Sequence, residues 1–278
     1  MRIISALCMR NIKLFLRNRV QLILVLIVPF FYLYLLSTIF KSTAISDPIS
    51  YVLAGIIIIV VFQTSLNIAT STIDDIVSGY MKEVLVSPAK RVQIVIGQIL
   101  SSTIIATFQG ILILIVGYFI GLRYDSVLTP LAVVATMIFV GLVFSAFGLF
   151  LAMSVKNSQT FQITSVAFTT PITFLCGVYV PLSLLPIGLQ YIAFLNPMTY
   201  AASFFRALTL EKLSQPVNDL VSDQLAFKIS NIIITPQISF FVVLLFGLLF
   251  LVLSTVTFTK VDFARINRTQ TNKDIYDQ

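Results

Sequence analysis

Six long runs without a single Asp, Glu, Lys or Arg dominate this 278-residue chain. Each run is at least about 20 residues long, the length that an α-helix needs to cross the hydrocarbon core of a bilayer. Because backbone groups inside lipid must be hydrogen-bonded within the segment, uninterrupted apolar runs favour helices over barrel strands. The predicted spans are approximately residues 20–40, 51–71, 92–122, 126–155, 157–180 and 238–259.

The composition supports an all-α membrane protein. Hydrophobic residues make up 58% of the chain and charged residues 10%, whereas a soluble domain has roughly 25% charged residues. There is no His and there are only two Cys, which excludes His-based acid–base catalysis and His/Cys metal sites. We therefore expect no metal site, no catalytic residue and no cofactor bound by this chain.

Positive charge predicts the orientation. With six spans both termini lie on one side, and that side carries most of the 18 Lys and Arg residues. Lys and Arg favour cytoplasmic flanks, so we expect a multi-pass protein of the plasma membrane with both termini in the cytoplasm. The first apolar run is too long for a signal-peptide core, and we expect it to be retained. The net charge of +7 is thus a topology signal, and no nucleic-acid partner is expected.

The chain divides into residues 1–19, a transmembrane domain over 20–259 and a cytoplasmic tail over 260–278. The first segment has a basic stripe opposite apolar positions that include Phe15, which is typical of a helix lying in the headgroup layer of membrane lipid. A flank that is simply rich in positive charge would explain the number of basic residues but not why they lie on one side of the helix. The basic stripe of this predicted interface helix includes Arg2, Arg10, Lys13 and Arg17.

The cytoplasmic link between the second and third spans, residues 72–91, combines acidic and apolar residues. Asp74, Asp75 and Glu83 precede a short apolar run, and Pro88 is placed to end one helix and open the next. This pattern predicts a short helix that docks in a groove of a soluble partner; an ordinary solvated loop is the alternative. On the other side, residues 181–237 form an extracellular segment that Pro181, Pro186 and Pro197 break into short helices.

The spans contain no Asp, Glu, Lys, Arg or His, although ion-coupled carriers usually keep such a residue in the membrane. The sequence also lacks the Gly-x-x-x-x-Gly-Lys-Ser/Thr loop that cradles nucleotide phosphates. The chain therefore has neither an ionic coupling group nor that nucleotide-binding loop. If it is a pump, the ATP must be hydrolysed by another polypeptide.

Three runs resemble type-2 ATP-binding-cassette permeases. They are residues 83–91 followed by Gly97, residues 174–181, and residues 195–200 followed by Arg206. The resemblance covers essentially the whole chain. It implies a permease that pairs with a second copy or a sister permease and with two ATPase subunits, which hold ATP and Mg. It also implies coupling to the ATPase through Glu83, Val84, Leu85, Ser87, Pro88 and Arg91, and an extracellular gate region containing Gly177, Pro181, Asn196, Pro197 and Tyr200.

A translocation path needs side chains that contact cargo within the spans, and the candidates are Phe31, Tyr34, Gln63, Asn67 and Gln109. The aromatic residues also suit lipid-facing or packing positions, and the amides also suit hydrogen bonds between helices. The run at Ser87 and Pro88 resembles the branch that exports drugs and antibiotics, so we expect an amphipathic drug, antibiotic or lipid-like cargo. Lipid-linked polysaccharide of the teichoic acid or O-antigen type is the alternative, and a passive channel or membrane scaffold is a more distant one.

Overall fold

The protein is described by a computed structural model that covers residues 2–40, 47–67, 69–86, 90–155, 157–229 and 232–260. The predicted tail 260–278 lies outside these residues beyond Lys260. In chain order the α-helices are α1 Arg2–Arg17, α2 Arg19–Phe40, α3 Pro48–Asn67, α4 Ala69–Val77, α5 Tyr80–Val86, α6 Arg91–Ile120, α7 Leu128–Ser154, α8 Ser158–Leu175, α9 Ile187–Leu195, α10 Pro197–Thr209, α11 Val217–Ser222 and α12 Pro236–Lys260.

The all-α membrane fold is confirmed, with one small addition. Strands β1 (Phe227–Ile229) and β2 (Ile232–Ile234) form an antiparallel hairpin in the segment before α12. Its β-branched and aromatic residues favour extended backbone, but three residues per strand are too few to recognise in a sequence this apolar. The hairpin is a minor element on a helical bundle.

Four helical segments of the described chain are long and apolar enough to cross a membrane: Pro48–Ile76, which joins α3 to α4, and the helices α6, α7 and α12. Helices α1 and α2 meet at 77° and provide a fifth only if the bent pair counts as one span. Helix α8 has 18 residues with Pro171 inside it and is not among these segments. The number of six spans therefore stays a prediction.

Local sequence signals explain several helix ends. The Asn157 side chain caps α8 by accepting a hydrogen bond from the Thr160 amide at 2.7 Å. Gly121 ends α6 with a φ of 133°, and Gly79 separates α4 from α5 with a φ of 82°; both angles lie where glycine has no Cβ clash. Gly121 thus marks the start of the loop between α6 and α7, and Gly79 the turn between α4 and α5.

Helix α3 is the centre of the bundle and packs against α6, α7 and α10. Close approach depends on glycines on the neighbouring helices. A Cβ on Gly148 of α7 would lie 3.0 Å from the backbone of Leu66, and one on Gly117 of α6 would lie 2.6 Å from the Leu53 side chain. In the same core the rings of Phe62 and Phe144 meet edge to face at 4.6 Å. In lipid the hydrophobic effect does not drive helices together, so their association depends on close packing, which these glycines permit.

Helices α9 and α10, both in the predicted extracellular segment, differ in how far they are buried. Helix α9 exposes Ile187 and Leu195, as expected for a short apolar helix at the membrane surface. Helix α10 instead packs against α3, α7 and α12 and is buried over most of its length. The segment 181–237 thus contributes one helix to the bundle itself, and it brings Arg206 with it.

Candidate functional site

Helix α1, the predicted interface helix, is fastened to the first half of α6. Asn11 donates from Nδ2 to Gln98 Oε1 and to Ser101 Oγ, both at 2.9 Å. Gly97 permits this approach, because a Cβ there would lie 3.2 Å from the Leu7 side chain. Phe15 is buried as well. One face of helix α1 is therefore packed firmly against the bundle.

Arg10 on α1 contacts the link between the second and third predicted spans. Its Nη1 donates to Asp75 Oδ2 of α4 at 2.7 Å, and its Nη2 donates to Asp75 Oδ1. The guanidinium also lies over the Tyr80 ring of α5, 4.1 Å from the centroid. Lys13 and Arg17 are exposed. One basic residue of the predicted stripe thus ties three helices together, and the other two face outward.

Helix α5, in the predicted coupling link, is anchored on one side and free on the other. Met81 is 1% exposed and packs in an apolar cluster with Ile76, Ile94 and other residues of the bundle. Glu83 is exposed and Val86 is 88% exposed. The helix therefore presents a carboxylate and an apolar side chain outward from a fixed base.

The remaining predicted coupling residues are distributed around α5. Val84 is half-buried beside the same apolar cluster. Arg91 begins α6 and donates from Nη1 to the Thr259 carbonyl of α12 at 2.8 Å, so it ties the link to the last helix. The Leu85 side chain and residues Ser87 and Pro88 lie outside the described part of the structure.

A cleft of about 730 Å³ opens between α1, α2, the α3–α4 segment and α6. One wall is apolar and includes Leu24 and Val28 of α2. The opposite wall is mostly polar, although Leu14, Phe15, Val60 and Ile105 also lie in it. Its polar residues are Asn11, Asn18, Gln63, Thr64, Asn67, Thr70, Ser71, Asp74 and Gln109. Small-molecule sites span roughly 300–1,000 Å³, so the cleft has the size and the two-sided character of an amphipathic binding site.

The cleft brings together three of the five candidate path residues. Gln63, Asn67 and Gln109 all line it. Gln109 is fully buried and accepts from the Thr64 hydroxyl through Oε1, while its Nε2 has no partner among the described residues. Phe31 and Tyr34 are 62% and 74% exposed on α2 and are not among the residues that line the cleft.

The predicted gate residues lie at the opposite end of the bundle, where they hold the outer segment together. Asn196 donates to the Ile172 carbonyl of α8 at 2.7 Å and caps α10 through the Met198 amide. Tyr200 donates to the Phe194 carbonyl at 2.7 Å. Pro181 precedes a short 3₁₀ turn, Leu182–Leu184, and Pro197 begins α10.

Gly177 completes this group with a φ of 80°. Its carbonyl accepts from Arg206 at 3.0 Å. Gly177, Pro181 and Asn196 therefore lie in the connection between α8 and α10, and Pro197 and Tyr200 lie at the start of α10. Gly177 links this group to a buried arginine.

Glu211 fastens the same outer segment to the loop between α6 and α7. Its carboxylate accepts from the Asp125 amide at 2.9 Å, from the Ser126 amide at 3.3 Å and from the Thr129 hydroxyl. The hydrogen bond from Thr129, together with those from the backbone, lowers the pKa of Glu211 below its ordinary value. The ionised carboxylate is thus the form that holds the loop.

Sequence reasoning missed three of these contacts. Asp75 lies in a link that the sequence predicts to be cytoplasmic, yet it is 4% exposed and paired with Arg10. Asn11 has the correct helical spacing from Leu7 for a buried position, a signal that was available. Arg206 lies in a segment that reads as external, and nothing in the pattern around it marks it as buried.

An apolar helical bundle with several segments long enough to cross a membrane, and with a cleft between its helices, is the architecture of a multi-pass membrane protein. The sequence signature described as ABC-2 type transporter matches residues 2–210. The chain belongs to the ABC-2 type transporter family, and the recognition made from its motifs is confirmed at the level of the family.

The relatives are distant and are all named as permeases. Over 155 residues the chain is 27% identical to the probable multidrug ABC transporter permease YbhR of Escherichia coli K12, covering 56% of this chain and 41% of that protein. It is 27% identical over 158 residues to the inner membrane transport permease YadH of the same organism, covering 56% and 60%. It is 23% identical over 199 residues to the putative transport permease ycf38 of Cyanophora paradoxa, covering 69% of each. The chain thus matches about two fifths of the length of YbhR.

Proposed function

We propose that this chain is the membrane permease subunit of an ABC exporter, which moves an amphipathic drug, antibiotic or lipid-like molecule out of the cell. The cleft is the observation that carries the proposal. Polar groups facing lipid are unfavourable, yet Gln63 and Asn67 line an opening between helices of an otherwise apolar bundle. A second copy that covers the cleft and a cargo with polar groups would both remove that conflict.

The character of the cleft favours a cargo with one apolar and one polar side. Leu24, Val28 and Val60 supply apolar contacts, and Gln63 and Asn67 supply hydrogen bonds. Lipid-linked polysaccharide remains the second candidate for cargo, but its export would be expected to use aromatic side chains along the path. The exposed aromatic residues Phe31 and Tyr34 do not line the cleft, which favours the smaller amphipathic cargo.

Energy enters through the cytoplasmic link in this proposal. Two ATPase subunits, which carry ATP and Mg, would dock on α5 at Glu83 and its apolar neighbours. Movement of α5 would pass to α1 through Tyr80, Arg10 and Asp75, which are in direct contact. Because α1 and α4 both line the cleft, a displacement at the docking surface would change its width. The chain itself would have no ATPase site, and both termini would be cytoplasmic.

Reconstitution with the ATPase tests this function. The permease, purified with its ATPase subunit, is placed in vesicles and supplied with a fluorescent amphipathic cation as cargo. We expect ATP-dependent movement of the dye and stimulation of ATP hydrolysis by the cargo. Passive movement of the dye at equal rates with and without ATP would contradict the proposal and would indicate a passive channel.

A further inference from the structure

Arg206 on α10 is an unusual residue in this bundle, because it is a fully charged side chain with 2% exposure. A guanidinium stays protonated in proteins, so burial normally requires a carboxylate partner. Among the described residues Arg206 forms no salt bridge. The outer carboxylates that could have served are engaged elsewhere, since Asp223 pairs with Lys212 and Glu211 holds the loop between α6 and α7.

The contacts that Arg206 does make leave part of its charge unmatched. Its Nη1 donates to the Tyr51 hydroxyl at 2.9 Å and to the Gly177 carbonyl at 3.0 Å. The guanidinium also lies over the Tyr51 ring, 3.9 Å from its centroid. Its Nε and Nη2 are buried and have no hydrogen-bond partner in the described structure. The positive charge of Arg206 is therefore only partly matched inside the protein.

The surrounding residues are shaped to accept this side chain rather than to exclude it. A Cβ on Gly55 would lie 2.6 Å from Arg206 Nη2, so glycine makes room for the guanidinium on α3. Gly177 turns its carbonyl toward Nη1 from a backbone with a φ of 80°, where larger residues are strained. The arginine thus occupies a built position.

A cavity of about 120 Å³ adjoins this arginine. A single water needs roughly 10–15 Å³ of such space, so the cavity has room for a small polyatomic ion or headgroup. Its lining has polar side chains, among them Gln190, Ser203 and Gln224, and Lys228 contributes a second cation. Lys228 is exposed, and no Asp or Glu is among the residues that line the cavity.

We propose that Arg206, Lys228 and this cavity form a binding site for a phosphate group. Arginine's planar fork matches phosphate oxygens, and the guanidinium that lines the cavity has no carboxylate partner among the described residues. The site lies at the end of the bundle opposite the Arg10–Asp75 pair. Its phosphate is either the headgroup of an anionic phospholipid or free inorganic phosphate. The proposal does not depend on the transport function.

The test measures binding of two probes to the purified, delipidated full chain in detergent. The probes are phosphatidylglycerol and inorganic phosphate, with phosphatidylcholine as a lipid of no net charge, and the readouts are native mass spectrometry and the ligand-induced rise in Tm. We expect saturable binding to the wild type and a loss of affinity of about tenfold in Arg206→Gln, since charge-assisted hydrogen bonds are removed. Lys228→Gln should weaken binding less, and the exposed outer arginine variant Arg123→Gln should bind normally.

The two sources give different results. Binding of phosphatidylglycerol without competition from inorganic phosphate supports a lipid headgroup, whereas saturable binding of inorganic phosphate supports the free ion. The proposal is overturned if neither probe binds the wild type, or if Arg206→Gln and Lys228→Gln bind as the wild type does. Should Arg206→Gln fail to fold, Lys228→Gln decides, because its exposed side chain is not needed for packing.

Discussion

Arg10 and Asp75 form a bidentate ion pair that joins α1 to α4. Nη1 of the guanidinium donates to Oδ2 of the carboxylate, and Nη2 donates to Oδ1. The Asp75 side chain is 5% exposed and that of Arg10 29%, so the carboxylate depends on this partner for its solvation. Because Arg10 also covers the Tyr80 ring, the pair connects α1 and α4 to α5.

Removing either partner should destabilise the junction. We expect Arg10→Ala and Asp75→Ala each to lower the free energy of unfolding by about 1–3 kcal/mol, because each leaves a poorly solvated charge unpaired. The double variant should lose much less than the sum. Denaturant unfolding of the four proteins in detergent measures this cycle, and additive losses would mean that the pair contributes nothing. Lys13→Ala, which removes an exposed charge from the same helix, is the control.

The surface of α5 should govern coupling and not folding. Glu83→Ala and Val86→Asp change exposed side chains, so we expect wild-type stability but at least a several-fold loss of cargo-stimulated ATP hydrolysis by the copurified ATPase. Leu85→Asp is expected to act in the same way. The matched control is Val127→Asp at the other end of the bundle, where Val127 is 92% exposed. Full stimulation in the α5 variants would remove these residues from the coupling role.

The polar wall of the cleft should set cargo affinity. Gln109→Leu and Gln63→Leu each remove hydrogen-bonding groups, and we expect the cargo concentration for half-maximal ATPase stimulation to rise about two- to tenfold. Phe31→Leu, which alters an exposed residue outside the cleft, should leave it unchanged. If Phe31→Leu has the larger effect, the path follows the exposed face of α2 instead.

Acid should release the loop between α6 and α7. The lowered pKa of Glu211 means that its stabilising contribution is present above the ordinary carboxyl value of about 4.3 and is lost as pH falls through the lowered value. We expect hydrogen-exchange protection of the Asp125 and Ser126 amides to fall with acidification in the wild type. In Glu211→Gln it should be low and unchanging. Asp219→Asn serves as the control, and identical pH profiles for Glu211→Gln and wild type would contradict the assignment.

Two glycine substitutions should have opposite consequences. A Cβ on Gly148 meets the Leu66 backbone at 3.0 Å, whereas one on Gly188 meets nothing within 4 Å. Gly148→Ala should therefore destabilise the bundle by about 1–3 kcal/mol through overpacking. Gly188→Ala, within α9, should be neutral or stabilising by about 0.4–1 kcal/mol. Unfolding in denaturant compares the two, and equal effects would mean that α3 and α7 can separate without loss.

The sequence was sufficient to predict the helices that depend on long apolar runs or on helix-breaking residues such as proline. The helices α6, α7 and α12 and the short outer helices after Pro186 and Pro197 follow from length, polarity and the conformational limits of proline. The clustering of Gln63, Asn67 and Gln109 was also accessible, because polar residues in apolar helices seek a common face.

What could not be read from the pattern depends on contacts between distant segments. Asp75 looks like one of two surface carboxylates until α1 brings Arg10 to it from 65 positions away. Arg206 looks like a charge in an external loop until α10 folds back between α3 and α12. From local composition alone, a charged residue in a polar segment is predicted to be exposed to water. Only the tertiary packing shows which charged residues are buried.

The most direct test of the account places the purified chain in sealed vesicles, alone and together with its ABC ATPase subunit, and follows accumulation of an amphipathic dye against its gradient. The account predicts accumulation only when the ATPase and ATP are both present on the side that bears Glu83, and none from the chain alone under proton or sodium gradients. Uphill accumulation by the chain alone, driven by an ion gradient, would contradict it.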